Sequence, residues 1–394
     1  MSIRELCHAL VFLCAVLCLV VTTGAETIDS VAANDAELEE ARQWLRQNGK
    51  DPVTYVMDLF AEKDLVLLGE YHKIRHDLEL VQDLIPAVHA VGVTRLVTEF
   101  ARAADQPLID SLLHGEEWDE QLARRITFLG EVLWAYQEYV DIYRAAWEHN
   151  RQLPDSVDRF RIIGGNGSPD WSMFKTQEDL RNDSLRRIAL RDFSERKWAF
   201  RVINEVNAGH KVLSHSGINH AIGRHMLPIL TGSGEFVRFE WDRMGHYAYR
   251  RLGNRLAVVC LHGPWLNPTD SGMVTVRPAG GRIDAILEGL PSDNLPIAFP
   301  TRNTPMGDIR LGQCDYSVGY DDPRLSEFCD GYVYTKPFAE YEVVAFIDSF
   351  YTEENIEEAA RTCSSVFYRD KTAEDFRYYG KRHLEQLKKM LNDL

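Results

Sequence analysis

The chain has 394 residues, of which 45% are hydrophobic and 26% are charged, so it can bury one large core or two moderate ones. Its formal net charge is −16, and the molecule as a whole therefore repels phosphate backbones and anionic membrane surfaces. No long basic stretch studded with aromatic residues is present, and we expect no nucleic-acid partner. Composition leaves the oligomeric state open.

The first 25 residues have the pattern of a secretory signal peptide. Arg4 precedes the apolar stretch ALVFLCAVLCLVVT, which is short for a membrane span, and TGA follows with small residues. We expect cleavage after Ala25, which would make the mature protein secreted or periplasmic. An uncleaved anchor is the alternative. No later segment has the length and hydrophobicity of a transmembrane helix.

Strand-like and helical segments alternate along the rest of the chain. Apolar runs predict strands at 64–69 and 93–100, separated by a helix at 76–91 with apolar residues at helical spacing. The later predicted elements are helical segments at 105–149 and 179–210, strands at 158–166, 211–217, 255–263 and 331–337, and a helical tail from 353. Strands that alternate with long helices imply an α/β fold, with a largely parallel central sheet and helices on both faces.

The same pattern predicts one α/β domain over residues 26–345 and a helical C-terminal extension over residues 346–394. No internal repeat or low-complexity linker divides the chain. Residues 264–328 are rich in Gly, Pro, Asn and Asp and have weak periodicity. We interpret this segment as a long surface excursion rather than an inserted lid.

Four cysteines follow the signal segment, at Cys260, Cys314, Cys329 and Cys363. Sequence alone does not choose among their pairings. A disulfide between Cys314 and Cys329 would close the shortest loop in this half of the chain, and it is the one that we expect first. None of the four has CxxC spacing, so we expect no cysteine metal site.

Polar side chains stand where the predicted strands end. The first strand leads into Glu70, Tyr71 and His72, the second contains Glu99, and the fourth leads through SHSGINH to His220. Because the carboxyl ends of parallel strands share one edge, we expect these carboxylates and imidazoles to converge there. A glutamate inside an apolar run, such as Glu99, is costly to bury unless it is paired.

Two neighbouring histidines are weaker candidates. His72 and His76 have the i, i+4 spacing of two ligands on one helix face, but HKIRH lacks the glutamate of the HExxH motif. His215 points away from Ser214 and Ser216 on its strand, which favours core packing. The GxSxG nucleophile elbow and the phosphate-binding GxxxxGK[ST] loop are both absent from the sequence.

The order of these motifs resembles the superfamily of erythromycin esterases, ChaN-type haem-binding lipoproteins and Tiki metalloproteases. The matching pieces are LLGEYH (67–72), LVTEF (96–100), YQEYVDIYRAAWEHN leading into RFRIIGGN, RDFSERKWAF (191–200) and VLSHSGINHA (212–221). They span roughly residues 60–263, which is most of the mature core.

The resemblance implies either a hydrolase or a cofactor-binding protein. In Tiki-like members, two Gly-x-x-His motifs and a glutamate bind a divalent metal ion, a role that would fall on His72, Glu99 and His220. In the esterase branch the first histidine acts as general base on water, which implies His72 backed by Glu70 and Glu99. In the ChaN branch the domain binds haem through a tyrosine. No position matches that tyrosine, although Tyr71 adjoins the site.

The chain departs from both branches after His72. ChaN-like proteins continue with Asp-Asn-Pro and paired histidines, and esterases carry Thr-His-Gly, whereas this chain continues with Lys73. Residue 26 is Glu rather than a lipidation cysteine. We therefore expect an exported hydrolase of an ester, lactone or peptide, with one divalent metal ion or with His72 alone as base. The alternatives are a ChaN-type binding protein for haem or a similar cofactor, and a surface protein whose site has decayed.

Overall fold

The computed structural model describes residues 35–231, 234–269 and 272–394. The predicted signal segment, residues 1–25, lies outside the described residues, so cleavage and export stay predictions. Within the described ranges, none of the helices combines the length and the hydrophobicity that a membrane span requires.

The secondary structure follows the predicted alternation. In chain order the strands are β1 (Leu65–Glu70), β2 (Val93–Arg102), β3 (Arg161–Asn166), β4 (Lys211–Gly217), β5 (Leu227–Leu230), β6 (Phe236–Glu240), β7 (Leu256–Leu261), β8 (Trp265–Thr269), β9 (Gly272–Val276), β10 (Ile297–Pro300) and β11 (Gly331–Tyr334). The helices are α1 (Asp35–Asn48), α2 (Pro52–Leu59), α3 (Arg75–Ala90), α4 (Gln106–His114), α5 (Glu120–Gly130), α6 (Gln137–Gln152), α7 (Asp183–Ala189), α8 (Glu195–Asn207), α9 (Ile218–Ala221), α10 (Met244–Leu252), α11 (Arg282–Leu287), α12 (Leu325–Phe328), α13 (Ile356–Thr362) and α14 (Ala373–Asn392).

In the part of the chain that the structure describes, seven strands form the central sheet, in the order β10-β11-β7-β1-β4-β2-β3. All neighbours are parallel except the pair β10–β11 at one edge. Every residue of β1 and β7 is buried, as a parallel sheet covered on both faces requires. The predicted α/β class is therefore confirmed.

Alternation along the strands divides the core into two layers. Val66 and Leu68 of β1 pack in the cluster that includes apolar residues of α3 and α6. Leu65 and Leu67 face the other way and pack in the cluster that includes residues of α8 and α10. The sheet is thus a rigid platform, and its carboxyl-terminal edge lies between the two helical layers.

The structure differs from the sequence prediction in two segments. The helical region at 179–210 is interrupted, because Ser194 caps the start of α8 by accepting a hydrogen bond from the backbone N–H of Lys197. The segment 264–328 is more than a surface excursion, since it contributes the β8–β9 hairpin and the edge strand β10. Strand β10 has four residues and ends at Pro300, which gives a weak strand pattern.

The C-terminal helix α14 packs beside the loop that follows β1. Leu387 and Leu391 of α14 form a small apolar cluster with Ile74, Phe338 and Tyr341. At its start, Thr372 and Asp375 form a reciprocal capping box that fixes where the helix begins. The helical tail predicted from residue 353 is present as α13 and α14, and it borders the edge of the sheet where β1 ends.

The described cysteines do not pair. Cys260, Cys314, Cys329 and Cys363 are all free and buried, so the disulfide expected between Cys314 and Cys329 is not formed. Burial raises the pKa of the Cys314 thiol to about 12, which keeps it protonated and unreactive.

Thiol titration checks this correction. In a chain that lacks residues 1–25, we expect Ellman's reagent to react with the four thiols only after denaturation, because burial shields them in the folded state. Prior reduction should leave the count unchanged. A denatured, unreduced protein that is two thiols short would show that a disulfide does form.

Candidate functional site

The candidate site lies where β1, β2 and β4 end. In the register of the parallel strands, Glu70 is opposite Gly217, and Thr98 is opposite His215. Glu70 continues the face of β1 that carries Val66 and Leu68, whereas Glu99 continues the opposite face of the sheet. The two carboxylates therefore lie on different faces of one edge.

Glu70 is a buried carboxylate with three hydrogen-bond donors. Its Oε1 accepts hydrogen bonds from Nδ1 of His72 at 2.8 Å and from the hydroxyl of Tyr139 at 2.6 Å. Its Oε2 accepts one from Nε2 of His215 at 2.6 Å. Burial would raise the pKa of Glu70, but His215 and His72 outweigh burial and hold that pKa at about 2. Glu70 is therefore ionised.

One ring nitrogen of His72 is hydrogen-bonded to Glu70, and the side chain is only partly buried. Because Nδ1 donates to the carboxylate, the neutral ring carries its lone pair on Nε2. The side chain is 35% exposed, between the edges of Phe100 and Trp134. A Cβ on Gly217 would lie 2.9 Å from Nε2, so the close approach of the ring to β4 requires glycine at this position.

A second acid–imidazole group lies on the other face of the sheet. Glu99 Oε2 accepts a hydrogen bond from the backbone N–H of Gly217 at 2.8 Å, and its Oε1 lies 3.4 Å from Nε2 of His220. Nδ1 of His220 lies 2.6 Å from Oε1 of Glu195. Glu195 also accepts hydrogen bonds from the side chain of Arg243 and from the backbone N–H of Met244.

These contacts set the charge of His220. Burial would lower the pKa of His220, but the carboxylates of Glu195 and Glu99 outweigh burial and raise it above its ordinary value. The surroundings therefore favour the protonated ring. Burial also opposes ionisation of Glu195, yet His220 and Arg243 hold its pKa at about 2.

The predicted divalent metal site does not fit this geometry. In the ranges that the structure describes, no three His, Cys, Asp or Glu side chains are grouped as metal ligands. His72 and Glu99 both approach Gly217, but His220 has a carboxylate at each nitrogen. A protonated imidazole has no lone pair to offer a metal ion.

Two other predicted candidates lie apart from Glu70. Tyr71 packs against the cluster of Ile74, Phe338 and Tyr341, and burial raises the pKa of its hydroxyl to about 12. An ionised tyrosine, as an iron ligand would require, is disfavoured there. His76 is buried with its ring edge-on to Tyr341, at 4.5 Å between centroids, and burial lowers its pKa to about 3. It is a neutral core side chain.

Sequence reasoning missed four partners of the site. We expected His215 to pack in the core, and it is buried, but the expectation did not include its hydrogen bond to Glu70. Tyr139, Glu195 and Arg243 were not singled out. One signal could have identified His215. A glutamate at a buried strand end needs hydrogen-bond donors, and His215 lies two residues before Gly217, the residue opposite Glu70 on the adjoining strand.

Together, the fold and this edge define an α/β protein with a histidine–glutamate site at the ends of parallel strands. Residues 56–169 match the family model described as "Haem-binding uptake, Tiki superfamily, ChaN". The resemblance to ChaN-type proteins and the Tiki superfamily is thereby confirmed for this segment. The match covers Glu70, His72, Glu99 and Tyr139, and it ends before β4.

Solved structures are similar to the chain at low sequence identity. A succinoglycan biosynthesis protein is 10% identical with a TM-score of 0.51, over 80% of this chain and all (100%) of that one. A mutant of the erythromycin esterase EreC in its open conformation is 12% identical with a TM-score of 0.46, over 72% and 92% of the two chains. ChaN of Campylobacter jejuni with cofacial heme is 12% identical with a TM-score of 0.34, over 57% and 91%. The first of these supports the fold alone. No curated protein matches the sequence.

The Glu70 hydrogen bonds predict a pH-dependent contribution to stability. The folded-state pKa of about 2 is below the ordinary value of 4.5, so the contribution is complete above that value and is lost as the pH falls toward 2. We expect Glu70→Gln to lower the free energy of unfolding near neutral pH by about 3 kcal/mol, because the buried His215 and the partly exposed His72 both lose their ionised partner. Urea unfolding followed by circular dichroism measures this.

The difference in free energy of unfolding between the wild type and Glu70→Gln should shrink as the pH falls from 4.5 toward 2. Glu79→Gln is the matched control, because Glu79 is an exposed glutamate on the neighbouring helix α3. A difference that stays constant from neutral to acidic pH would contradict the ionised state of Glu70.

Proposed function

We propose that this protein is a hydrolase in which His72 is the general base that activates water. The observation that carries the proposal is the geometry of His72, whose Nδ1 donates to a buried, ionised carboxylate while its side chain stays 35% exposed. A buried carboxylate orients the ring, fixes the tautomer and stabilises the imidazolium that forms on proton transfer.

The residues around His72 supply the remaining parts of the mechanism. His72 Nε2 and Glu99 Oε2 both lie close to Gly217, at 2.9 Å and 3.5 Å from the point where a Cβ would stand, so we assign the attacking water to the space that both atoms can reach. Nε2 takes the proton of this water as its oxygen attacks the acyl carbon, and Glu99 orients it. The imidazolium then returns the proton to the leaving group. Tyr139 keeps the Glu70 carboxylate fixed throughout.

The substrate class that fits this chemistry is an ester, a lactone or a peptide bond in a small molecule or a peptide. EreC, whose solved structure is similar to this chain, is an erythromycin esterase, and its name is consistent with hydrolysis of a small molecule. We propose that the protein acts after export, as its signal-like first 25 residues predict.

A hydrolysis screen tests the assignment. We expect His72→Ala to lower kcat/KM by about a hundredfold or more on any ester or amide that the wild type cleaves, because the positioned base is lost. His114→Ala is the matched control, since His114 is an exposed histidine at the end of α4. Activity should also persist in the presence of a chelator.

Two results would overturn this proposal. Full activity of His72→Ala with an intact circular dichroism spectrum would exclude His72 as the base. Complete loss of wild-type activity with chelator, restored by a divalent ion, would show that a metal ion rather than the imidazole activates the water.

Haem binding is the second candidate function. It is favoured by the family model, whose description includes haem-binding uptake, and by the aromatic rings of Phe100 and Trp134 beside His72. Tyr71 is partly buried and its hydroxyl is un-ionised, which does not fit an iron-ligating role. Phe100 and Trp134 still offer aromatic surfaces that the face of a porphyrin could contact.

Spectroscopic titration separates the two candidates. If haem binds beside His72, we expect a shifted Soret band that saturates at a defined ratio and weakens in Trp134→Ala, which removes one of the two aromatic surfaces. Trp118→Ala is the control, because Trp118 contacts Trp147 rather than the site. An unchanged spectrum of added haem would eliminate this candidate.

A further inference from the structure

Lys73 follows the proposed base in an unusual backbone conformation. Its φ of 71° lies in the left-handed region, which residues other than glycine seldom adopt. Two contacts hold it there: its N–H donates to the hydroxyl of Tyr139 at 3.1 Å, and its carbonyl accepts from the N–H of Val344 at 3.1 Å. Strained positions that their surroundings hold in place are concentrated at functional sites.

The side chain of Lys73 lies beside the same indole ring that borders His72. Its Nζ is 4.9 Å from the ring centroid of Trp134 and 5.5 Å from that of Tyr136. The His72 ring is 5.4 Å from the same Trp134 ring. A cation held against aromatic faces is partly desolvated, which strengthens its interaction with an incoming anion.

The ammonium group has no close carboxylate partner. In residues 35–231, 234–269 and 272–394, no ion pair within 4.0 Å involves Lys73, and its Nζ donates to Nε2 of His383 at 2.9 Å. Burial lowers the pKa of Lys73 to about 8, which still leaves the charged form dominant at neutral pH. The adjacent ammonium and burial lower the pKa of His383 to about 3, so His383 is a neutral acceptor.

An ammonium carries three N–H donors, and the hydrogen bond to His383 uses one of them. Glu131 and Glu70 are close enough to favour the charge without forming an ion pair with it. An anionic ligand that binds beside His72 and Trp134 would therefore meet a cation that is not already neutralised. In a chain with a net charge of −16, such a local cation is what an acidic ligand would need.

We propose that Lys73 selects substrates that carry an acidic group, such as a carboxylate, close to the scissile carbonyl. The ammonium binds the acidic group against Trp134, which leaves the carbonyl beside His72. This inference rests on the proposed function, because it treats the ligand bound beside Lys73 as the substrate of His72. It makes Lys73 a specificity-determining residue rather than a proton-transfer group.

A matched pair of esters tests the selection. Para-nitrophenyl hemisuccinate and para-nitrophenyl butyrate have acyl chains of equal length, and only the first ends in a carboxylate. We expect the wild type to prefer the hemisuccinate in kcat/KM by about tenfold or more, because a hydrogen bond to a charged group is lost with butyrate. Lys73→Met should lower kcat/KM for the hemisuccinate by about tenfold more than it lowers kcat/KM for the butyrate, so that the preference is lost, and Lys73→Arg should keep part of the preference.

Lys63→Met is the control variant. Lys63 precedes β1 at the opposite edge of the sheet, where its Nζ donates to the carbonyl of Asn254. This variant should keep the wild-type preference. Two results would overturn the proposal. One is an equal fall of kcat/KM on both esters in Lys73→Met, and the other is a wild type that shows no preference for the hemisuccinate at low salt. If Lys73→Met does not fold, a wild type without a preference for the hemisuccinate would still refute the proposal.

A binding experiment keeps this inference separable from the proposed function. The amide N-(para-nitrophenyl)succinamic acid and the neutral para-nitrobutyranilide replace the esters in isothermal titration calorimetry with His72→Ala, which removes the proposed base. We expect the acidic probe to bind at least tenfold more tightly than the neutral one, and less tightly as salt is added. Equal affinities would refute the role of Lys73, whereas acid-selective binding with a failed hydrolysis screen would refute only the hydrolase.

Discussion

The ionised, buried carboxylate of Glu70 is the constraint on which the site depends. An unpaired charge at this depth would cost several kcal/mol, so each of its oxygens must have donors in the folded state. Those donors come from three different elements: His72 from the loop after β1, Tyr139 from α6 and His215 from β4. Satisfying Glu70 therefore requires the register of β4 against β1 and the docking of α6 on the sheet, so the stability of the fold and the orientation of the proposed base have the same origin.

The two acid–imidazole groups meet at Gly217 but have different properties. His72 has a single carboxylate partner and a partly exposed side chain, which suits proton transfer with a bound water. His220 is enclosed, with a carboxylate at each nitrogen, which suits a fixed positive charge. Glu99 lies between them because it contacts both His220 and the backbone N–H of Gly217. Placing similar residues in different environments is how one site can combine a base with an electrostatic support.

The sequence predicted the parallel sheet and the convergence of Glu70, His72 and Glu99, because apolar runs and strand-end positions are local signals. It did not predict the partners of Glu70. In a strand buried on both faces, His215 has the same pattern whether it packs or donates a hydrogen bond, and a tyrosine such as Tyr139 fits the apolar face of a helix in either case. Strand β10 was missed because its place in the sheet depends on pairing with β11, which is distant in sequence.

The C-terminal helix α14 borders the loop that carries Lys73. Lys73 has a φ of 71°, a conformation that costs glycine little but strains a lysine. The strain is offset by contacts that a helix outside the matched segment provides: Ile74 packs against Leu387 of α14, and Lys73 donates to His383. A residue that costs conformational energy and adds a cation beside the proposed base is better explained by ligand recognition than by packing, since a glycine would satisfy the backbone.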